Sequence, residues 1–363
     1  MSRARKFADL AGSADAGGIT GRNILINGAM QVAQRGTSAT AADNGGVYLI
    51  DRFEGFANGG GAFTMEQSTT VPNNTFLNSA KLVVTTADSS IASADYYSFQ
   101  QNIEGLNIVQ TGYGTSDAKF LTLSFHVRSS VTGTYSVACY NGDGSRGYLN
   151  TFTISSADTW TEVNLTWEGD TGGTWNKDNT REMIIRFDLG GGSSGHGTAN
   201  QWTTSGSFAA NRTSGSVDWI ANNGATFYIT GIQLEIGQKA TPFEHRSYAD
   251  ELQRCQRYYF KFLEGATKEI GVAWYYTASH VSFMLRYPTT MRATPTGIDT
   301  TGTNYYGIYR AGTLDSINSM TFENGSTEQY SAYNSSDVSG TAGDVGLVRS
   351  TNASAKVEFD AEL

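Results

Sequence analysis

The stretch GIQLEIGQKATPFEHRSYADELQRCQRYYFKF, residues 231–262, changes its hydrophobic period within a few turns of chain. Ile232, Leu234 and Ile236 alternate with polar neighbours, as a half-buried strand requires. Ser247, with Asp250 three residues on, forms a weakened capping box that opens a helix. Tyr248, Leu252, Cys255 and Tyr259 then recur at spacings of 4, 3 and 4, a narrow apolar stripe on an otherwise charged helix. Such a stripe either packs on its own chain or forms a seam with other copies. Tyr258, Phe260 and Phe262 return to period two, so a strand begins as the helix fades. The segment reads as a helical joint over residues 247–257, set between two β-rich regions.

Upstream, the alternation is that of antiparallel strands covered on one face. In FLTLSFHVRSS, Leu121, Leu123, Phe125 and Val127 share a face, with His126 and Arg128 opposite. Val163, Leu165 and Trp167 repeat the pattern, as do Met183, Ile185, Phe187 and Leu189. YNGDGS at 140–145 carries turn chemistry. In ATFYITGIQLEI, Phe227 and Ile229 hold one phase and Ile232 and Leu234 the other, which predicts a β-bulge at Thr230-Gly231. Residues 22–246 therefore read as a two-sheet sandwich or jelly roll. Downstream, Val281, Phe283, Leu285 and Tyr287 alternate, Asn324-Gly325 has the chemistry of a type I′ hairpin, and Val357, Phe359 and Ala361 alternate to the last residues. Residues 258–363 read as a second, smaller β-sandwich, and the fold class as all-β.

Composition narrows the partners. A net charge of −9 gives no general attraction to phosphate backbones, so nucleic acid is not expected. No run of 18 apolar residues exists, so membrane insertion is not expected either. The opening residues lack the apolar core of a signal peptide. Cys139 and Cys255 lie in different expected elements, so no disulfide framework is expected. Residues 1–21 stand apart: Arg3, Arg5 and Lys6 precede Phe7 and Leu10, and a Gly/Ala/Ser/Asp linker follows. This is either a frayed terminus or a peptide that docks on another protein.

Few residues are arranged for chemistry. The four histidines show no zinc spacing, and His126 and His280 fall on outward strand faces. No nucleophile elbow is present. Asp43, Asp51, Glu54, Asp158, Glu168 and Asp170 are dispersed, and solvated surface carboxylates are the plainer reading against a catalytic pair. The loops around Asp143 and Asp170 offer oxygen ligands for a structural calcium, although turn chemistry alone explains both. No other cofactor is expected. Trp175 and Trp202 sit in Gly/Thr/Ser-rich segments, as sugar platforms or as covers for sandwich edges. Tyr305, Tyr306, Tyr309, Arg310, Tyr330 and Tyr333 concentrate near turns, either as a recognition surface or as cross-strand and subunit packing.

GRNILINGAMQVAQRGTS at 21–38, YLIDRFEGF at 48–56 and the 231–259 stretch resemble a family of bacteriophage tail-fibre and virion-fibre proteins. YPTTMRATPT at 287–296 and VEFDAEL at 357–363 are similar to that family's C-terminal β-domain. The resemblance implies a jelly roll like those of carbohydrate-binding modules, and a homotrimer without a catalytic motif. It further implies manufacture in the host cytoplasm, residence in the virion, and attachment to another virion protein through the N-terminus, for which the basic-then-apolar start offers Arg3, Arg5, Phe7 and Leu10 as contacts. The expected function is binding of a host cell-surface glycan or outer-membrane component through the tyrosine and tryptophan candidates above. Tyr248, Leu252 and Cys255 are the expected trimer seam. A glycan-cleaving fibre and a purely structural capsid decoration or tail spacer are the alternatives.

Overall fold

The structure is a computed structural model that describes residues 21–203 and 211–363. The attachment candidates Arg3, Arg5, Phe7 and Leu10 lie outside the described residues. The chain divides into two compact units, the first ending at Glu251 and also holding Leu363, the second covering 252–362.

In the first unit two antiparallel sheets enclose one core. The six-stranded sheet runs in the order Ser38–Ala41, Ala62–Ser68, Ser79–Thr86, Thr226–Ile236, Leu121–Ser129, Thr161–Trp167. The seven-stranded sheet runs Trp202–Thr203, Gly147–Ile154, Gly133–Asn141, Arg181–Gly191, Tyr96–Glu104, Phe53–Asn58, Gly45–Tyr48. The alternating residues supply the core: Leu121, Leu123, Phe125 and Val127 from one sheet face Met183, Ile185, Phe187 and Leu189 from the other. Phe53 stacks on Phe99 at 5.0 Å, and Phe125 meets Phe187 edge-on at 5.1 Å. The phase change in ATFYITGIQLEI is a register shift between Thr230 and Gln233, with Gly231 at φ 64°, a region that a side chain with Cβ rarely adopts.

Two of the sequence motifs meet in space. The Asn23 side chain donates to the Ile232 carbonyl (3.0 Å) and accepts from the Leu234 amide (3.0 Å), while Ile24 N donates to the Leu234 carbonyl (2.8 Å). Ile232 N in turn donates to Gly28 O at 3.0 Å. Asn27, at φ 61°, donates to the carbonyls of Val32 and Asp51, both at 2.9 Å. The segment after Gly21 is therefore fastened along the strand Thr226–Ile236 by the Asn23 side-chain amide and two backbone hydrogen bonds, which satisfy backbone groups that no neighbouring strand pairs.

Tyr248–Gln256 is the helix, and Ser247 caps it: Asp250 N donates to Ser247 Oγ at 3.2 Å, and that hydroxyl donates to Asp250 Oδ2 at 2.7 Å. Its buried face corrects the expected stripe. Glu251, Cys255 and Tyr258 are buried, whereas Tyr248 is exposed and Leu252 is half-buried. Glu251 takes a core-facing place because it accepts from Asn27 N (2.6 Å) and Arg246 Nη1 (3.4 Å). Cys255 is buried within its own chain, which removes it from an intermolecular seam.

The second unit holds a three-stranded sheet, Tyr259–Glu264, Lys356–Asp360, Thr296–Asp299, and a seven-stranded one. The latter runs Thr313–Ile317, Tyr306–Arg310, Val345–Ser350, Glu269–Thr277, His280–Arg286, Gln329–Asn334, Thr321–Glu323. Val357 and Phe359 from the first sheet share a core with Val281, Phe283 and Leu285 from the second. The Asn324-Gly325 hairpin exists, but Thr321–Glu323 and Gln329–Asn334 flank a longer loop than the two-residue turn expected. Only Asn324 of the pair has positive φ, at 50°, where a type I′ turn needs both residues there.

Candidate functional site

The structure disperses most of the sequence-derived binding candidates. Trp175 is buried, its indole N–H donating to Asp170 at 3.0 Å. Trp202 is half-buried, meets Trp175 edge-on at 6.1 Å and donates to the Glu168 carbonyl at 3.0 Å. Both cover a sandwich edge. Tyr306 is fully buried and donates to the Lys356 carbonyl at 2.7 Å, so it offers no surface. Tyr305, Tyr330 and Tyr333 are half-buried, Tyr330 stacking on Phe359 and Tyr333 on His280. Arg310 pairs with Asp315 (3.1 Å) and Asp344 (3.0 Å) beneath the face that carries exposed Tyr309. His126 is half-covered by Phe76 rather than solvated, and this burial lowers its pKa.

A better site lies on the outer face of the first unit's seven-stranded sheet. Outward residues of a sheet are ordinarily solvated, but here Ser98, Gln100 and Asn102 of Tyr96–Glu104 and Ile184, Arg186 and Asp188 of Arg181–Gly191 are all buried. Register places them in rows: Glu54 opposite Gln100, Gln100 opposite Arg186, Asn102 opposite Ile184. Gln100, Asn102 and Arg186 line a cavity of about 380 Å³ together with Glu54, Phe56, Tyr96, Arg181, Asn211 and Leu363. Phe56 and Tyr96 stack in parallel at 5.2 Å, and the Arg186 guanidinium lies 5.3 Å from the Tyr96 ring centroid. Arg186 donates to Gln100 Oε1 at 2.7 Å, and Gln100 donates onward to Glu54 at 2.7 Å. Burial lifts the Glu54 carboxyl above its usual range against the pull of that hydrogen bond.

Among the described residues, Asn102 Oδ1 and Asn211 Oδ1 are buried without a hydrogen-bond partner. An unpaired buried acceptor costs about 1–3 kcal/mol, and both residues that carry one, Asn102 and Asn211, belong to the cavity lining. The sequence signal for this face is faint. YYSFQQNIE alternates as a surface strand does, and only its choice of amides over charges on the polar phase sets it apart.

Beside the cavity Asp188, almost wholly buried, faces Arg212 Nε at 3.6 Å, too far for a hydrogen bond. Burial outweighs the attraction of Arg212, and the Asp188 carboxyl is pushed up to about 7. A carboxyl raised in the fold holds its proton more tightly there than in the unfolded chain, where it titrates near about 3.9. Its contribution is thus full in acid and is lost as pH rises through 7. Asp188→Asn is expected to gain stability relative to the wild chain as the pH is raised from acid to neutral, measured by urea unfolding. A pH-independent difference would contradict the assignment.

The loops considered for calcium are occupied by protein groups. Asp170 accepts from Arg146 Nε (2.9 Å), Arg146 Nη2, Trp175 Nε1 (3.0 Å) and Gly172 N (3.1 Å). Asp143 accepts from Ser145 N at 2.8 Å, a turn contact. Among the described residues no three His, Cys, Asp or Glu side chains group to hold a metal, and no helix is long and apolar enough to cross a membrane. Cys139 and Cys255 are buried and form no disulfide.

No protein-family model matches the sequence, and no curated protein matches it. Among solved structures, the chain is similar to the enzymatically active domain of tailspike protein 4 of bacteriophage CBA120, at 13% identity and TM-score 0.31. That match covers 59% of this chain and 21% of the tailspike chain. It is also similar to the family 11 carbohydrate-binding module of a Clostridium thermocellum cellulosomal cellulase, at 12% identity and TM-score 0.28 over 55% of this chain and 99% of the module. A xylan-binding domain from Paenibacillus barcinonensis matches at 8% identity and TM-score 0.26, over 56% of this chain and 95% of that domain. Likenesses at these TM-scores do not bear on what this chain binds.

Proposed function

We propose that the chain is a glycan-binding protein of a phage virion fibre, acting as a homotrimer without catalysis of its own. The observation that carries the glycan reading is a cavity walled by the stacked rings of Phe56 and Tyr96 and lined by Asn102 and Asn211, whose Oδ1 atoms have no partner among the described residues. A sugar presents hydroxyl donors at its rim and C–H groups on its faces, and this cavity offers a match for each. Residence in a virion is supported by the resemblance of residues 21–38, 48–56 and 231–259 to fibre proteins. Rigid presentation of several copies lets individually weak sugar contacts act through avidity. Against a glycan-cleaving fibre stands the lining itself, in which Glu54 is the carboxylate side chain, whereas paired-carboxylate hydrolysis uses two.

Calorimetry of the full chain against host surface polysaccharide tests this reading, with Tyr96→Ala and Asn211→Ala as probes. Each substitution is expected to weaken binding about 10-fold, the loss of roughly 1.4 kcal/mol of contact. Folded variants that bind as the wild chain does would move the site elsewhere. Turnover of the polysaccharide would replace the non-catalytic reading. Absence of any glycan binding, with tight binding to another virion protein, would favour a structural spacer.

A further inference from the structure

The second unit carries an apolar surface that its own core does not use. On the outer face of its seven-stranded sheet, Val272, Trp274, Tyr276, Met284, Tyr309, Leu314 and Val345 are between 37% and 71% exposed. They are cross-strand neighbours, not scattered positions. Leu314 stands opposite Tyr309, Tyr309 opposite Leu347, and Leu347 opposite Val272, while Val345 stands opposite Trp274 in the adjoining row. On this face Arg349 lies over the Tyr309 ring at 4.7 Å and 3.6 Å from Glu269, and Arg286 shares the outward phase of Met284.

Fully exposed large side chains present about 150–250 Å² each, so at these exposures the patch offers on the order of 700 Å². The largest apolar patch of an ordinary monomer is about 300–600 Å², and a stable interface buries about 800 Å² per partner. The patch therefore has the area of one side of an interface. Its composition separates the occupants. A sugar platform pairs aromatic rings with polar side chains, whereas Val272, Met284, Leu314 and Val345 are aliphatic. A strongly charged partner would need countercharge of one sign at the rim, whereas the outward positions of these strands carry both signs, Arg286, Arg349 and Glu269. A second copy of this chain needs neither, and a mainly apolar face without an acidic excess lets copies of net charge −9 approach.

We infer that this sheet face is where copies of the chain associate. The inference supplies a surface for the self-association that the fibre reading entails and does not depend on the glycan cavity, which lies in the other unit. Sedimentation of the full chain tests it, with Val272→Asp combined with Val345→Asp, and separately Tyr276→Ser. These positions are exposed by 64%, 60% and 71%, so far-UV circular dichroism is expected to be unchanged. The wild chain is expected to sediment as an oligomer at micromolar concentration. The aspartate pair should give monomer, and Tyr276→Ser should shift the equilibrium toward it. The monomeric variant should retain single-site glycan affinity and lose avidity for a glycan-coated surface. A wild chain that is monomeric, or a folded aspartate pair that remains oligomeric, would overturn the inference; loss of single-site affinity in every form would instead strike the glycan reading.

Discussion

Asp170→Ala is expected to lower the stability of the first unit by about 3–5 kcal/mol, the usual result of removing one partner from a buried ion pair. Asp170 is almost wholly buried and accepts from Arg146, Trp175 and Gly172, so its loss strands a guanidinium and an indole N–H together. Tyr113, Trp175 and Trp202 pack edge-to-face around the same corner, and Arg146 lies 5.7 Å from the Trp202 ring centroid. The damage should therefore spread through an aromatic cluster. For a unit of this size the midpoint of thermal unfolding should fall by roughly 10 °C. Asp143→Ala, which removes one exposed turn contact, should cost below about 1 kcal/mol. Equal losses for the two would mean that the Arg146 pair contributes nothing beyond a surface contact.

Gly28→Ala is expected to be as severe for a different reason. A Cβ at Gly28 would stand 2.0 Å from the Ile232 carbonyl oxygen, a backbone atom that cannot step aside without breaking the strand. The same approach carries the hydrogen bond from Ile232 N to Gly28 O, so relief of the clash also releases the fastening that Asn23 completes. A loss of about 4 kcal/mol or expression as insoluble protein is the expected outcome, read from denaturant unfolding. Gly60→Ala is the control, because nothing lies within 4 Å of its Cβ position. If Gly28→Ala unfolds at the wild-type denaturant concentration, the segment is not held against Thr226–Ile236 as described.

The strands were legible because one face of each is buried in a common core. Leu121, Leu123, Phe125 and Val127 alternate in sequence because they alternate in space, and Gly231 marks the bulge because the backbone there needs positive φ. The helix start was legible from Ser247, but its buried face was not. Glu251 reads as a solvated charge until Asn27 N and Arg246 are brought to it from elsewhere in the chain. The site failed for a related reason. Tyr306 and Trp175 look like surface aromatics because Gly, Ser and Thr surround them, whereas cross-strand neighbours far away in sequence bury them. Gln100, Asn102 and Arg186 look like an ordinary polar face, and only strand register shows that Glu54, Gln100 and Arg186 form one row.

The central claim, that glycan is held on the outer face of the first unit's seven-stranded sheet, is tested most directly by hydrogen–deuterium exchange of the full chain with and without bound oligosaccharide. Protection is expected in Phe53–Asn58, Tyr96–Glu104 and Arg181–Gly191, the strands that carry Phe56, Tyr96, Asn102 and Arg186, with Glu269–Thr277 and Tyr306–Arg310 unchanged. Protection confined to Glu269–Thr277 and Tyr306–Arg310 would contradict the account and return the binding surface to the tyrosines of the second unit.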